Sequence, residues 1–298
     1  MSDYRCGYIA LVGRPNVGKS TLLNRILGQK ISITSRRPQT TRHRVLGIKS
    51  QLSAQLIYVD TPGIHEFSGR AMNRYMNRTA SSVLQDVDVA VFLVDGLHWT
   101  TDDELVLQKL GQISCPVILA VNKIDLLGNR EDLLPRLQTL SDKRAFEQIV
   151  PISASKGDNV AELEAVIEKL LPVAAPLFPE DQVTDRSVRF LAAELVREKL
   201  FRKLGKELPY GLTVEIEQFR NEATIAHIHA LIWVERKSQK YIVIGKQGRV
   251  LKEVGIEARR DIEELIGGKV NLKLWVKVKE GWADDERALR SLGYTHDE

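Results

Sequence analysis

Cysteine is scarce in this chain. Only Cys6 and Cys115 occur among its 298 residues, and each lies in or beside an apolar, strand-like run. Two cysteines without Cys-x-x-Cys spacing offer neither a disulfide framework nor a zinc site. We therefore expect both to be reduced core residues, as is typical of a protein of the reducing cytosol.

Long hydrophobic runs are also lacking. The longest apolar stretches, residues 89–94 and 116–121, are far shorter than the roughly 20 residues that a membrane-spanning helix needs. No N-terminal segment combines basic residues with an apolar run in the manner of a secretory signal. These absences predict a cytoplasmic protein, and they leave open a peripheral fraction on the inner face of the cell membrane.

A strong net charge is absent as well. The chain carries 43 Lys and Arg against 39 Asp and Glu, a formal net charge of +4. Any affinity for nucleic acid must therefore come from local patches. Internal repeats and low-complexity tracts are not found, and the length is enough for about two domains of ordinary size.

Apolar runs alternate with helical patterns over the first 171 residues. The predicted strands are residues 8–12, 45–49, 54–59, 89–94, 117–121 and 148–152. This alternation favours an α/β domain, residues 1–171, with a mostly parallel sheet and helices on both faces. Three prolines between residues 172 and 179 then favour a semi-rigid linker over another element, and we assign residues 172–186 to it.

Residues 187–298 read as a second domain of α+β type. A helix is predicted over residues 187–204, followed by strands at 212–217 and 225–234. A basic, glycine-containing turn, a helix over 250–266 and a strand over 270–278 complete it. The tail to residue 298 is included in this domain.

A complete phosphate-binding loop lies between the first strand and the first predicted helix. It comprises Gly13, Arg14, Pro15, Asn16, Val17, Gly18, Lys19 and Ser20, with Thr21 next in the helix. The glycines let the backbone approach phosphate oxygens, and the helix N-terminus favours an anion. Lys19 adds a charge for the terminal phosphates, and the Ser20 hydroxyl is a hard oxygen ligand suited to Mg²⁺.

Three further segments follow predicted strands and predict a guanine nucleotide site. Asp60, Thr61, Pro62 and Gly63 follow the third strand: the carboxylate can hold the magnesium shell, and the Gly63 N–H can meet the γ-phosphate. Asn122, Lys123 and Asp125 follow the fifth strand. Asp125 can accept two hydrogen bonds from guanine that adenine cannot donate, so the motif selects GTP over ATP. Ser153, Ala154 and Ser155 follow the last strand and can offer an N–H to the guanine O6.

The loop between the first helix and the second strand is a candidate nucleotide-dependent switch. It runs over residues 34–42 and contains two adjacent threonines. We expect Thr41, with Thr40 as the second choice, to close on Mg²⁺ when the γ-phosphate is present. The predicted metal ligands are therefore Ser20, Thr41 and Asp60. A plain Ser/Thr-rich solvated loop is the alternative.

The catalytic water has no evident side chain to orient it. Ile64 follows Gly63, where Ras-like enzymes have glutamine. The motif order is that of translation-factor-like GTPases, and in relatives with a hydrophobic residue here an asparagine at the position of Asn16 helps to hold K⁺. Asn16 alternatively only stabilises the turn. Lys19, Thr41, Gly63 and Asn16 are the candidate catalytic residues.

A glycine-containing turn in the second domain predicts an RNA site. The candidate residues are Gly245, Lys246, Gln247, Gly248, Arg249 and Lys252. Residues 236–260 hold eight basic side chains against two acidic ones, and a Gly-x-x-Gly loop that clamps a single-stranded backbone is typical of a KH module. A solvated charged helix and a DNA-binding helix–turn–helix are the alternatives. Local propensity predicts a strand for residues 241–244, whereas a KH module requires a short helix there, which we favour.

Other aromatic and basic residues are given plainer roles. We expect Trp233 and Trp275 to be core residues, with base-stacking platforms as the alternative. We expect His227 and His229 to be strand residues, with metal ligands as the alternative. Acidic residues are absent from Tyr4 to Val59, while basic residues are frequent there. This stretch predicts either a second RNA-contacting face or a merely solvated basic face.

Four passages resemble the Era-like family of P-loop GTPases with a C-terminal type II KH domain. They are residues 13–20, residues 37–44, residues 245–248 and the ending over residues 281–294. The resemblance covers essentially the whole chain. It implies a GTPase that uses GTP, GDP and Mg²⁺ and binds the 3′ end of small-subunit (16S) rRNA, in maturation of the small (30S) ribosomal subunit. It also implies contact with the inner membrane.

Several readings of the function stay open beside this one. We expect a slow, monomeric GTPase whose nucleotide state switches its affinity for rRNA and for the ribosomal subunit, with no role for DNA. A pure binding switch with incidental turnover is one alternative. A tRNA-modification GTPase is another, although neither a catalytic cysteine nor a cofactor domain is evident.

Overall fold

The structure is a computed structural model that describes residues 4–35, 37, 39–64, 71–129, 131, 133–205 and 208–294. The chain divides into two units. Unit 1 comprises Met1–Ser32, Thr41–Ser68 and Met76–Asp185, and unit 2 comprises Ile33–Thr40, Gly69–Tyr75 and Arg186–Glu298. Two short segments from the first half of the chain thus belong to unit 2. The domain boundaries at residues 171 and 187 stay predictions.

Unit 1 is built on a six-stranded sheet. Its strands are β1 (Arg5–Val12), β2 (Val45–Ser50), β3 (Ala54–Asp60), β4 (Val89–Asp95), β5 (Val117–Asn122) and β6 (Gln148–Pro151). Their order across the sheet is β2-β3-β1-β4-β5-β6, and only the β2–β3 pairing is antiparallel. All six strands predicted from the sequence are confirmed, as is the mostly parallel sheet.

Helices cover both faces of this sheet. They are α1 (Lys19–Leu27), α2 (Ala71–Val83), α3 (Thr101–Leu110), α4 (Leu133–Ser141) and α5 (Val160–Leu170). Alternate residues of each strand enter different cores, because successive side chains point to opposite faces. On β1, Ile9 and Leu11 join the core beneath α1 and α5, whereas Ala10 and Val12 join the core with residues of α2, α3 and α4. Cys6 is buried in the latter core, as expected.

The predicted linker is fastened along its length to unit 1. Backbone hydrogen bonds join Cys6 N to Pro172 O and Ile48 N to Val183 O, at 3.1 and 2.8 Å. The fully buried side chain of Gln55 on β3 holds its middle: Oε1 accepts from the N–H groups of Leu177 and Phe178. The prolines therefore shape a segment that lies on the sheet edge rather than a free spacer.

Unit 2 contains a three-stranded sheet covered by helices. Its elements are α6 (Val188–Lys203), β7 (Leu212–Asn221), β8 (Ile225–Val234), α7 (Lys237–Ile244), α8 (Arg249–Ile266), β9 (Lys269–Val278) and α9 (Glu286–Ser291). Strand β8 pairs antiparallel with β7 and parallel with β9. Apolar residues of α6 and α8 pack on buried residues of β8 in one core. This α-β-β-α-α-β order is the fold expected for a type II KH domain.

The short helix α7 settles the disagreement between propensity and fold. Residues 241–244 lie in α7, so the strand indicated by local propensity is wrong and the helix is confirmed. The Gln239 side chain caps the helix, since its Oε1 accepts from Glu235 N and Arg236 N at 2.8 and 3.0 Å. Of the four residues, Val243 is fully buried, whereas Tyr241 and Ile242 are exposed.

Candidate functional site

The predicted nucleotide motifs follow the carboxyl ends of strands β1, β3, β5 and β6. These strands lie in one sheet and are parallel, so their ends meet at one edge. Ligands bind at this edge in open α/β sheets. Close packing brings three of the loops together: a Cβ on Gly18 would meet the Asn122 side chain at 2.2 Å, and one on Gly63 would meet Pro15 N at 2.7 Å.

Residues 13–20 wrap around the side chain of Lys19. Its Nζ donates to the carbonyls of Gly13 and Arg14 at 2.9 and 3.0 Å, and only 6 % of the residue is exposed. Burial lowers the Lys19 pKa to about 8, against the opposing effect of Asp60. An anionic phosphate would stabilise the charged ammonium form of Lys19, which burial disfavours. The geometry therefore fits a phosphate ligand.

Three oxygen ligands converge beside Lys19. The Ser20 Oγ lies 2.7 Å from Asp60 Oδ2 and 2.8 Å from Thr41 Oγ1. Asp60 is fully buried, and burial raises the pKa of its carboxyl against the lowering effect of its serine partners. Its Oδ1 accepts no hydrogen bond among the described residues. A buried, unpartnered carboxylate oxygen next to two hydroxyls suits a hard cation such as Mg²⁺.

The structure distinguishes the two threonines of the switch loop. Thr41 is the one whose hydroxyl reaches Ser20. The Thr40 hydroxyl instead donates to Arg37 O at 2.7 Å and contacts Ser35 Oγ at 2.8 Å. The geometry therefore favours Thr41 as the metal ligand. Arg36 and Pro38 of this loop lie outside the described residues.

The base-recognition residues form one connected group. Asn122 links two loops: its Nδ2 donates to Val17 O at 2.7 Å, and its Oδ1 accepts from Ala154 N at 2.9 Å. Asp125 accepts from Ser153 Oγ at 2.6 Å and from Ser155 Oγ at 3.3 Å. The two hydroxyls hold the carboxylate in place for a base with two donors, which guanine offers and adenine lacks.

Some of the predicted nucleotide-binding residues also make contacts within the protein. The Arg14 guanidinium donates to the buried Asp103 on α3 at 3.0 Å, so its side chain anchors the phosphate loop. The Thr61 hydroxyl donates to Leu11 O, and Pro62 is buried beside it. Thr21 is half-buried on α1. The side chains of Arg14 and Thr61 are thus engaged within the protein itself.

Sequence reasoning missed residues that support the site. Ser32 Oγ donates to Asp60 Oδ2 at 2.6 Å. The Asn24 side chain fixes the backbone there, donating to Ser32 O and accepting from the N–H groups of Ile31 and Ser32. Asp95, at the end of β4, binds Lys123 Nζ at 2.7 Å. Asp95 alone had a positional signal, because it ends a neighbouring strand of the same sheet.

Ile64 and Asn16 bear on how water is activated. Ile64 is 1 % exposed and packs in the core on one face of the sheet. Asn16 is exposed and has a positive φ of 67°. A left-handed asparagine is common in turns, and exposure also leaves room for a cation. Both roles of Asn16 therefore stay open.

The Gly-x-x-Gly turn lies between α7 and α8. Gly245, Gln247 and Gly248 have φ of 73°, 52° and 77°, a conformation that favours glycine. Lys246, Arg249 and Lys252 are exposed, and Arg249 pairs with Glu253 at 3.0 Å. Sequence reasoning missed the apolar residues around this turn: Tyr241, Ile242 and Ile256 are 74 %, 49 % and 40 % exposed. Apolar and aromatic side chains beside a basic loop suit splayed bases.

The expectation that Trp233 and Trp275 are core residues is wrong, since neither joins the core of unit 2, and Trp275 is the more exposed of the two. It is 43 % exposed, with its ring against His229 at 5.0 Å between centroids. Trp233 is half-buried and donates from Nε1 to Glu215 at 2.9 Å. The reason is the period of the strand: on β9 the residues at 270 and 276 enter the core, which points Trp275 to the opposite face. His227 and His229 lie on β8, as expected.

Most described basic residues of the acid-free stretch 4–59 have internal partners. Arg25 donates to the carbonyls of Ala154 and Ser155, and Lys49 pairs with Glu164. Arg42 is 1 % exposed. These contacts weaken the reading of this stretch as a second RNA-contacting face. Among the described residues, no helix is long and apolar enough to cross a membrane.

Family comparisons agree with both halves of the chain. Residues 8–123 match the family described as a 50S ribosome-binding GTPase, and residues 207–283 match the KH domain family. A GTPase Era of Marinobacter nauticus is 61 % identical over 98 % of this chain and 95 % of its own length. A GTPase Era of Pseudomonas aeruginosa is 60 % identical over 97 % of this chain and 95 % of its own length.

Two solved structures are similar over nearly the whole chain. One is a variant of Aquifex aeolicus Era bound to GDP and AlF₄⁻, with a TM-score of 0.95 and 41 % identity over 98 % of this chain and all of that one. The other is Era in complex with MgGDPNP and nucleotides 1506–1542 of 16S ribosomal RNA. It has a TM-score of 0.95 and 42 % identity, with the same coverage.

Proposed function

The chain belongs to the Era family of GTPases, and on that premise we propose that it binds the 3′ end of 16S rRNA and acts in maturation of the small (30S) ribosomal subunit. One observation carries the proposal: a guanine nucleotide site and an exposed basic Gly-x-x-Gly loop occur in one chain. The similar Era structure that holds a segment of 16S rRNA supports the choice of RNA.

The nucleotide is held by the residues at the sheet edge. Lys19 and the backbone N–H groups of residues 13–20 bind the β- and γ-phosphates, and Asp125 binds guanine with help from Asn122 and Lys123. Ser20, Asp60 and Thr41 hold Mg²⁺, which when bound offsets charge on the transferred phosphoryl group. The Gly63 N–H meets the γ-phosphate. Thr41 and Gly63 are thus the residues that distinguish GTP from GDP.

Hydrolysis proceeds without a glutamine. Because Ile64 is buried in the core, its side chain does not orient the attacking water. Backbone groups of the switch loop at residues 34–42 and of Gly63 position that water instead. A potassium ion held by Asn16 would further offset charge between the phosphates, in the manner of an arginine finger. A K⁺-dependent rate that is lost in Asn16→Ala would support this role, and a rate equal in K⁺ and Na⁺ would leave Asn16 as a turn residue.

RNA is bound by unit 2. The turn at residues 245–248 clamps a single-stranded backbone, and Lys246, Arg249 and Lys252 offset phosphate charge. Tyr241, Ile242 and Ile256 contact the bases. Clamping a single strand gives no role for duplex DNA.

We further propose that the protein acts as a monomer, with a peripheral fraction on the inner membrane.

A second candidate target is the large subunit, which the family description of residues 8–123 names. A different class of function is also proposed as an alternative: a binding switch whose hydrolysis of GTP is incidental. It predicts that Lys19 variants unable to hydrolyse GTP still complete subunit maturation.

The proposal is tested by crosslinking the purified protein to cellular RNA and sequencing what is captured. The protein should be loaded with GTP or GDP, and Lys246→Glu together with Lys252→Glu provides the matched control. We expect reads concentrated at the 3′ end of 16S rRNA and lost in the control. Reads dominated by 23S rRNA, or by any other RNA, would overturn the assignment.

A further inference from the structure

Both chain segments that flank the predicted γ-phosphate site belong to unit 2. Ile33–Thr40 ends directly before the metal-ligand candidate Thr41, and Gly69–Tyr75 follows the Asp60–Gly63 motif. In a GTPase these are the segments that respond to the third phosphate. What holds them in place therefore bears on both hydrolysis and switching.

A buried arginine on α6 holds the first segment. Arg197 is 1 % exposed, and its Nη2 donates to the carbonyl of Thr40 at 2.5 Å. Glu194 holds the guanidinium, since Arg197 Nε donates to Glu194 Oε1 at 2.7 Å. The centroid of the Phe201 ring lies 5.0 Å from Arg197 Cζ. A guanidinium held in this way has little freedom to follow a moving loop.

The contact to Thr40 controls the neighbouring residue. The Thr40 carbonyl and the Thr41 nitrogen belong to one planar peptide group. Fixing that oxygen therefore fixes the orientation of the amide plane at Thr41, whose hydroxyl lies 2.8 Å from Ser20 Oγ.

The rest of the segment is also bound to the same helix and its end. The buried Glu198 accepts from Thr34 N at 2.9 Å, and Arg202 donates to Thr34 O. Arg37 donates to the carbonyls of Leu204 and Gly205. Contacts at both ends and in the middle hold the segment as a unit.

The C-terminal tail holds the second segment. Helix α2 has no acidic residue in its first turn, and Asp284 supplies a cap from far along the chain: its Oδ1 accepts from Ala71 N at 3.2 Å. Met72 N donates to Ala283 O at 3.1 Å, and the Tyr75 ring packs edge-on against Tyr294 at 5.7 Å. The tail thus orders the start of the helix that follows Gly63.

We propose that Arg197 is a positioning residue for Thr41, and Asp284 a positioning residue for the segment after Gly63. This inference rests on the proposed function and names the residues through which RNA and nucleotide influence each other. A bound RNA that stabilises unit 2 would stabilise both segments, and reciprocity requires that GTP tighten RNA binding through the same contacts.

The test for Arg197 compares two arginines of α6. Arg197→Met removes the donor to Thr40, whereas Arg189→Met removes a donor to backbone carbonyls of β7 at residues 216 and 217. Steady-state GTP hydrolysis should be measured with and without a 16S rRNA 3′-end oligonucleotide, alongside urea unfolding. For Arg197→Met we expect kcat to fall roughly tenfold or more at an unchanged KM, because misplacing a ligand costs rate. Arg197→Lys should recover part of it.

The test for Asp284 uses its neighbour as the control. Asp285→Ala disturbs the same tail, but Asp285 caps α9 instead, accepting from Arg287 N and Ala288 N. We expect Asp284→Ala alone to lower the stimulation of hydrolysis by RNA.

These measurements separate the two hypotheses. A parent protein that neither hydrolyses GTP nor binds the oligonucleotide refutes the proposed function. A parent that does both, with Arg197→Met and Asp284→Ala indistinguishable from their controls in kcat and in RNA stimulation, refutes the positioning role. The positioning role is also refuted if Arg197→Met, Asp284→Ala and their two controls all lose the same activity, in parallel with a loss of stability towards urea.

Discussion

At the scale of single residues, burial prepares Lys19 for an anionic partner. The side chain is held by two carbonyls and lies beside Asp60, and its pKa is lowered to about 8. Phosphate contact favours the ammonium form and raises this pKa. We therefore expect GTP to bind the protonated form of Lys19, so that its affinity falls as the pH rises through about 8.

This sign gives a first prediction. With a pKa of about 8 in the free protein, GTP affinity should weaken roughly tenfold between pH 7 and pH 9. Isothermal titration calorimetry measures it, and Lys19→Arg is the control, because a guanidinium stays charged over this range. Subtracting the control removes the titration of the nucleotide itself. Identical pH profiles for the parent and Lys19→Arg would contradict the prediction.

A second prediction concerns the base. Asp125→Asn replaces a pair of acceptors with one acceptor and one donor, which match the N1–H and O2 of xanthine. We expect the variant to lose GTP affinity and to gain XTP affinity, a reversal of a preference on the order of 10⁴-fold. Competition binding with both nucleotides checks it. Asp142→Asn, an exposed carboxylate of unit 1, should keep the GTP preference; if Asp125→Asn also keeps it, guanine is recognised elsewhere.

At the scale of elements, the turn between α7 and α8 combines charge with apolar surface. Each lysine of the turn offsets one phosphate of a single strand. Lys246→Ala and Lys252→Ala should therefore each reduce the steepness of the plot of log affinity against log salt concentration by about 0.7. Tyr241→Ser should weaken RNA binding at every salt concentration and leave the slope unchanged.

Fluorescence anisotropy with a labelled 16S rRNA 3′-end oligonucleotide measures both effects. Lys169→Ala, an exposed lysine of α5, is the charge control and should change neither affinity nor slope. If Lys169→Ala reduced the salt dependence as much as Lys246→Ala does, the RNA would be attracted by the overall charge of the protein and not by the turn.

The linker offers a stability prediction. Gln55 is fully buried, and its Nε2 donates to Phe178 O at 2.8 Å while its Oε1 accepts from two backbone N–H groups. Gln55→Ala leaves these backbone groups without partners and should lower the free energy of unfolding by about 2 kcal/mol. Urea unfolding checks it against Gln51→Ala, a half-buried residue of the same hairpin, which should cost less. Equal losses would mean that the linker contacts are weak.

Local pattern was sufficient for most elements and for the nucleotide motifs. Strand bounds follow from short apolar runs, and the motifs follow strands whose parallel order brings their ends together. The pattern failed where tertiary contacts decide. Gln55 gives no signal of its role, because its partners lie more than 120 positions away. Tyr241 and Ile242 have strand propensity, yet the cap supplied by Gln239 and the packing of Val243 place them on a helix.

At the scale of the whole molecule, the grouping of the chain differs from its order. The segments at residues 33–40 and 71–75 come from the GTPase half of the sequence and belong to the unit that carries the KH fold. No local pattern predicts this, since it depends on Arg197 and Asp284, which are distant in sequence. On the proposal above, these two segments are where nucleotide state and RNA affinity influence each other.

The most direct measurement of this link is the dissociation constant for the 16S rRNA 3′-end oligonucleotide in three states: without nucleotide, with GDP, and with a non-hydrolysable GTP analogue and Mg²⁺. We expect the GTP-like state to bind roughly tenfold more tightly than the GDP state, within the usual range of coupling between two sites. The same dissociation constant in all three states would mean that the two halves of the protein act independently.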